Sequence, residues 1–519
     1  MSKKSPEWNR LDNAAKIFPS NTGKRDPKVF RFSCELYETV VPELLQQALD
    51  ITIDYFPIFR SVMKKGLFWY YFEQSRLQPV VSPETRPICS PLYNPDYRTL
   101  LFEVTYFGRR INFEVFHALT DGTGAMQFLK MLVSQYLKLR YPDRELPSLD
   151  YDACTSQKGE DSFQKYYDPK TTAGKAKRVS AYQIKGSKEP EGRLNVIEGV
   201  LPVKALLDLA HQYHTTLTVL VAAVLIRSIG KQMATGDKRK PVVLDIPVNL
   251  RNYFDSETAR NFFGVINVSY HFGERSGELD DIIEQVAKTM QEELTREKLS
   301  GIINDFIKIE RNAVVRIVPL PLKDIVLRQA GRINQREATS SLSNIGRTNI
   351  PEALKPYIRL FDVICSTDRT QLCLCSCGEL LTACFSSVFE STEIQKNFFR
   401  TFTELGISVE VASNDSFGAA DTPEIARVNP LRFGNPNRDS KTERAERRLE
   451  KETKRQRKQT EKAGKKLQKT IAAEDKRKRK AEAKTIKHLE KSNRKQLKQR
   501  KKQEAKALKK LERAGKKQQ

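Results

Sequence analysis

Among 519 residues there are only eight cysteines, five histidines and two tryptophans. The cysteines show no paired spacing. That excludes a small disulfide-stapled scaffold and fits a reducing, cytoplasmic compartment. No apolar run is long enough to span a bilayer. The longest, Leu217 to Ile229, is interrupted by Thr218, Arg227 and Ser228 and reads as a buried helix. The opening segment Met1-Ser-Lys-Lys-Ser-Pro-Glu-Trp8 has no apolar core, so no secretory leader is expected there. A phosphate loop and a dinucleotide fingerprint are both missing, which argues against the common nucleotide-binding motifs.

Charge is present in excess but unevenly placed. The chain carries 90 Lys and Arg against 64 Asp and Glu, a net of +26. Residues 441–519 hold 33 of the basic and 11 of the acidic residues, a net of +22, which leaves about +4 for residues 1–440. A nearly balanced globular body therefore carries a very basic appendage. The whole chain is 39% hydrophobic, and its length and composition suit a large core divided into subdomains. We place them at residues 1–185 and 186–435, with the tail at 436–519.

Residues 29–41 alternate as a strand does, and residues 42–56 carry apolar side chains at helical spacing behind Pro42. Gly66 to Glu73 is strongly β-like. Residues 99–107 and 110–116 predict a hairpin around Gly108, and residues 123–140 an amphipathic helix. Residues 141–192 are polar and read as a connector. Beyond them strands are expected near 193–201, 241–248, 265–272, 359–365, 370–377 and 380–388. Helices are expected over 202–214, 216–232, 278–298 and 391–405. The class is α/β, or mixed α+β. Cys373, Cys375 and Cys377 would share one strand face as small buried hydrophobes. His211 and His214 are three apart on a predicted helix, but no third ligand follows at a recognisable spacing. No metal is expected.

The run Asn112-Phe-Glu-Val-Phe-His117-Ala-Leu-Thr-Asp121-Gly122-Thr-Gly124 delivers a histidine to the end of an apolar strand, just before a turn and a helix. Rigid elements would hold the imidazole while the turn exposes it. Its ordinary pKa near 6.5 suits a general base at cellular pH. Standing alone, His117 would read more readily as a hydrogen-bonded core histidine than as a catalytic base. Gly122 and Gly124 allow close backbone approach.

His117-Ala-Leu-Thr-Asp121-Gly122 resembles the His-x-x-x-Asp-Gly signature of the chloramphenicol-acetyltransferase-like superfamily. That superfamily includes alcohol acetyltransferases, plant acyl-CoA acyltransferases and peptide-synthetase condensation domains. Four further segments resemble its alcohol acetyltransferase-like branch: Leu11-Asp-Asn-Ala-Ala-Lys-Ile-Phe18, Phe56-Pro-Ile-Phe-Arg60, Gly66-Leu-Phe-Trp-Tyr-Tyr71 and Pro247-Val-Asn-Leu-Arg251 with Asn261-Phe-Phe-Gly264. Ser343-Asn-Ile-Gly346 resembles its Ser-Asn-x-Gly element. The resemblance covers roughly residues 8–411. Condensation domains carry a second histidine where Phe116 stands here, and the plant enzymes' Asp-Phe-Gly-Trp-Gly is absent. Both departures favour the alcohol acetyltransferase-like branch.

The resemblance implies two subdomains around a central substrate tunnel, with His117 as general base and Asp121 and Gly122 beside it. It also implies a structural Asp121–Arg251 salt bridge, and Ser343 and Asn344 facing the tunnel as oxyanion groups, or else forming a polar turn that closes a strand. The implied reaction moves an acyl group, acetyl or another short chain, from acyl-CoA to a small hydroxyl or amine acceptor. Coenzyme A thioester is the co-substrate, and no bound cofactor is expected. Two alternatives stay open: a catalytically silent fold, and a condensation-type domain served by a carrier protein.

The tail lies outside the resemblance. Its charge would attract polyanions such as RNA, DNA, the ribosome or an anionic membrane surface. It has almost no aromatics for base stacking and no wide apolar face. Its leucines keep no heptad, so it reads as a solvated helix or a disordered segment rather than a sustained coiled coil.

Overall fold

Val29-Phe-Arg-Phe-Ser-Cys-Glu-Leu36 alternates apolar and polar residues, as a strand with one wet face would. In the computed structural model both faces of this strand are buried. Phe30, Phe32, Cys34 and Leu36 enter one apolar core, while Arg31, Ser33 and Glu35 are buried on the other side. Ion pairs make that second burial tolerable, because a buried charge must be matched.

The structure describes residues 8–147, 161–168, 180–312 and 317–414. All lie in one compact unit, Met1–Pro423. The expectations for the basic tail fall outside the described residues. In chain order the strands are β1 Trp8–Arg10, β2 Val29–Leu36, β3 Ser61–Lys65, β4 Tyr70–Gln74, β5 Ser82–Pro83, β6 Phe102–Phe107, β7 Arg110–Phe116, β8 Asn195–Pro202, β9 Val242–Asn249, β10 Phe263–Tyr270, β11 Ser340–Arg347, β12 Ile358–Cys365, β13 Thr370–Cys377, β14 Leu380–Ser387 and β15 Glu410–Ser413. The principal helices are α1 Pro42–Thr52, α2 Gly122–Arg140, α3 Val203–Gln212, α4 Leu217–Gly230, α5 Leu279–Glu293, α6 Arg296–Arg311, α7 Leu320–Gln335 and α8 Glu393–Glu404.

The strands form three sheets: β12-β2-β7-β6-β5, β10-β9-β11-β13-β14-β8-β15 and the small β1-β4-β3. Most neighbours are antiparallel, but β11 runs parallel to both β9 and β13. The first sheet borrows β12 from late in the chain, pairing Val363 with Phe32 and Ile364 with Arg31. The two halves are thereby laced together.

The predicted hairpin forms around Gly108, whose φ of 54° is glycine's natural region. Behind it, Phe56, Phe59, Phe102, Phe113 and Phe128 pack ring on ring at 4.6–5.9 Å. Each such fully buried ring is worth roughly 2–3 kcal/mol of transfer free energy. Helix α4 is buried almost all round. Among the described residues no single helix is long and apolar enough to cross a membrane.

Three local expectations change. The β-like run 66–73 is a hairpin instead: β3 and β4 turn at residues 66–69, where Gly66 N–H donates to Trp69 O at 2.9 Å. A Cβ at Gly66 would collide with that same carbonyl. The helix expected over 278–298 breaks after Glu293, and Thr295 caps α6 by accepting from Lys298 N–H. Helix α7 and strand β11 were not expected.

The polar face of the first sheet joins the second. Arg110 bonds Glu35 on β2, Asp362 on β12 and Glu198 on β8, all at 2.8–3.0 Å. Glu198, Asp362 and Cys384 converge as three potential metal ligands. Arg110 Nη1 already bonds both carboxylates, so a guanidinium stands where a cation would sit. Burial beside Glu198 lifts the Asp362 carboxyl to about 6. Replacing Arg110 by Met should strand these buried carboxylates and cost about 3–5 kcal/mol, read as a lower urea midpoint at neutral pH.

Candidate active site

Strand β7 ends at Phe116, and the next residue is delivered to the seam between the two large sheets. His117 N–H donates to Lys28 O at 2.8 Å. Lys28 adopts φ 59°, a conformation rare for a side chain with a Cβ, and this aims its carbonyl at the strand end. The imidazole is held among aromatic rings. Phe18 stacks on it at 4.4 Å, and Phe30 and Phe263 approach at 4.8 and 5.6 Å. Burial disfavours the imidazolium and holds the His117 pKa below its ordinary value.

The ring's tautomer is set by a relay. Asn261 Nδ2 donates to Asp12 Oδ2 at 3.2 Å, which turns Asn261 Oδ1 towards His117 Nδ1 at 3.2 Å. That oxygen can only accept, so Nδ1 carries the proton and Nε2 keeps its lone pair. Asp12 is itself buried, accepts from Ala15 N–H at 2.7 Å and faces Arg260 at 3.6 Å. Asp12 and Asn261 were not singled out as site residues from the sequence. Both lie inside segments that carried the resemblance, and that was the available signal.

Asp121 spends both oxygens on structure. Oδ1 accepts from Thr123 N–H and Gly124 N–H, capping α2. Oδ2 accepts from Arg251 Nη1 and Phe262 N–H, both at 2.8 Å. Arg251 in turn gathers Thr258 O, Arg260 O and Phe262 O, so it shapes the loop that presents Asn261. Gly124 is pressed against Ala259 O and Thr120 Oγ1, where no Cβ fits. A Cβ on Gly122 would stand 3.0 Å from Ile345 Cδ1.

His117, Asp121, Gly122, Ser343 and Asn344 all line one cavity of about 140 Å³, with Phe30, Phe263, Val363 and Gln371 among the other walls. Arg251 stands behind that wall. Ser343 and Asn344 lie within β11, opposite Cys373 and Leu374, rather than in a closing turn. Asn344 Nδ2 donates to Thr218 Oγ1 at 2.9 Å, and its Oδ1 accepts from Gly346 N–H. The Ser343 hydroxyl has no hydrogen-bond partner among the described residues, so it is the freer donor at the cavity. His211 lies in the last turn of α3, and His214 lies beyond the helix end with φ 50°. The two therefore do not share the helix expected over 202–214, and neither lines this cavity.

No family model and no curated protein matches this chain. Solved structures do. The first condensation domain of the calcium-dependent antibiotic synthetase, in complex with a substrate analogue, has 15% identity and a TM-score of 0.55. The match covers 78% of this chain and 100% of that one. The trichothecene 15-O-acetyltransferase of Fusarium sporotrichioides has 11% identity and a TM-score of 0.50, over 78% and 96% of the two chains. A variant starter condensation domain of rhizomide synthetase, in complex with C8-CoA and Leu-SNAC, has 13% identity and a TM-score of 0.50, over 76% and 93%. The chain thus shares the α/β fold of these condensation domains and of that acetyltransferase, with a separate tail in sequence.

A buried neutral histidine makes stability depend on pH. Above about 6.5 the ring is neutral in both folded and unfolded chains. As pH falls below that value the unfolded chain binds the proton first, so stability should drop. The acid loss should be shallower in His117→Gln, measured by urea unfolding at several pH values.

Proposed function

We propose that this chain is an acyltransferase, moving an acyl group from a coenzyme A thioester to a hydroxyl or amine acceptor with His117 as general base. The observation that carries the reading is the Asp12–Asn261–His117 relay, which leaves Nε2 as the ring's basic atom beside a cavity. A histidine kept only for packing has no need of a fixed tautomer. Two neighbours in fold support the reaction class: one is named as an acetyltransferase, and another was solved with C8-CoA.

The acceptor's O–H or N–H proton passes to His117 Nε2 as its heteroatom attacks the thioester carbonyl carbon. The oxyanion that forms takes a hydrogen bond from Ser343, with a smaller role for Asn344, whose amide is already engaged with Thr218. The C–S bond then breaks, and the imidazolium returns its proton to the departing thiolate. Asp121 and Arg251 act by position: they hold the loop carrying Asn261 and the start of α2. The subdomain division at 185/186 and a short acyl chain belong to the same proposal. The likeness in fold to condensation domains leaves room for a second reading, in which the acyl group arrives on a carrier protein.

Free thiol release from a panel of acyl-CoAs, with alcohols and amines as acceptors, tests the choice. Transfer with thiol release is expected. Transfer only from a carrier-bound acyl group would favour the second reading. His117→Ala should lower turnover about 10²–10⁴-fold in a folded protein, and full activity would sink the mechanism. Asn261→Leu should cost about ten- to a hundredfold in kcat and shift the acid limb of its pH profile, because the tautomer is no longer held.

A further inference from the structure

Helix α7 is packed the wrong way round for a soluble protein. Its inward face carries Lys323, whose Nζ donates to Phe68 O at 2.8 Å and lies 3.4 Å over the Trp69 ring. The same face carries Asp324, which accepts from Ser20 Oγ at 2.6 Å and Tyr70 Oη at 2.9 Å. Leu322, Ile325, Val326 and Ile333 point outward, with Val326 65% exposed. Their spacing of three, four and seven residues makes one apolar stripe along the helix. Leu320 N–H donates to Leu67 O, which sets the exposed Leu67 and Phe68 beside the start of that stripe. Such a stripe is normally the part of a helix that tertiary packing hides.

The charges along its flank are of one sign. Arg328, Arg332 and Arg336, spaced by four, are exposed, and Lys65 precedes Leu67 in the turn. Asp324 is turned inward and engaged. This decides among occupants. The chain's own residues 441–519, with a net charge of +22, would be repelled. A second copy docked through the same face would set these arginines against themselves. An anionic lipid surface satisfies both features, taking the apolar side chains among its acyl chains and the arginines among its headgroups.

We propose that α7 and the 66–69 turn form a membrane-surface docking face for anionic lipid. The helix lies in the interface and does not span it. The face is also close to the candidate catalytic base. Asp324 and Arg328 hold Ser20, in the turn begun by Phe18, and Phe18 stacks on His117. A lipid-dissolved acceptor would thus be concentrated one layer of side chains from the imidazole. That last consequence rests on the acyltransferase reading; the docking face does not.

The full chain and its variants, which all carry the same basic tail, are tested at one moderate salt concentration on phosphatidylcholine vesicles with and without phosphatidylserine, and tighter binding is expected with phosphatidylserine. The combined variant Leu322→Ser, Ile325→Ser and Val326→Ser changes only exposed positions and should partition about tenfold less or weaker still. Separately, tryptophan at position 325 (Ile325→Trp) should be quenched by brominated acyl chains beyond the level of the unsubstituted chain. Unchanged partition, or an unquenched tryptophan on bound protein, would overturn the proposal. So would light scattering that finds a dimer which the serine variant dissociates, since the face would then belong to a second copy. None of these readouts depends on acyl transfer.

Discussion

The carboxylate of Asp121 holds the candidate site together. It accepts four hydrogen bonds from two directions, two from the first turn of α2 and two from Arg251 and Phe262. An ionised carboxylate can take that many, and each donor is charged or a backbone N–H with few other options. The strand carrying His117 and the loop carrying Asn261 come from residues more than 140 positions apart. Without this junction nothing local would keep those two side chains in hydrogen-bond range. The relay that fixes the imidazole tautomer is downstream of it. Gly124 is the corollary: the loop closes so tightly on α2 that a side chain there has no room.

A second set of buried charges does for the sheets what Asp121 does for the site. Arg31 pairs with Glu84 and Glu114, and Arg110 with Glu35, Glu198 and Asp362. Apart from Glu84, which follows β5, these residues occupy the polar positions of strands whose other face is apolar. Such pairs are weak contributors to net stability but strong selectors of arrangement, because a misplaced partner leaves a charge buried alone. Their presence explains how the first sheet accepts a strand from late in the chain and how its polar face closes against β8.

Much of the fold was legible in advance. The hairpin around Gly108, α2 behind it, and the strands near 195, 242, 263, 358, 370 and 380 follow from alternation and helical spacing. So does the burial of Cys373, Cys375 and Cys377 on β13. The failures have physical causes. Residues 66–73 read as one strand because the turn uses aromatic residues rather than the usual turn formers. Helix α7 was not assigned although Leu322, Ile325, Val326 and Ile333 keep helical spacing; periodicity could not show that this stripe faces outward while Leu320, Lys323 and Asp324 are packed beneath it. Strand β11 escaped because Ser-Ser-Leu-Ser-Asn-Ile-Gly-Arg has few of the branched and aromatic residues that signal strands.

The sequence by itself determined the class of the fold, the separation of a balanced body from a basic tail, and the strand-turn-helix that presents His117. These depend on local periodicity, capping and charge, which neighbours in the chain decide. It also named Asp121 and Arg251 as partners, but only by resemblance. The tertiary structure decided which nitrogen of His117 keeps its lone pair, that Asn344 is tied to Thr218 while the Ser343 hydroxyl has no partner among the described residues, and that α7 turns Leu322, Ile325, Val326 and Ile333 outward. Each of these depends on groups that meet across a hundred residues or more, or on which face of a helix its neighbours cover, and no pattern within one segment records that.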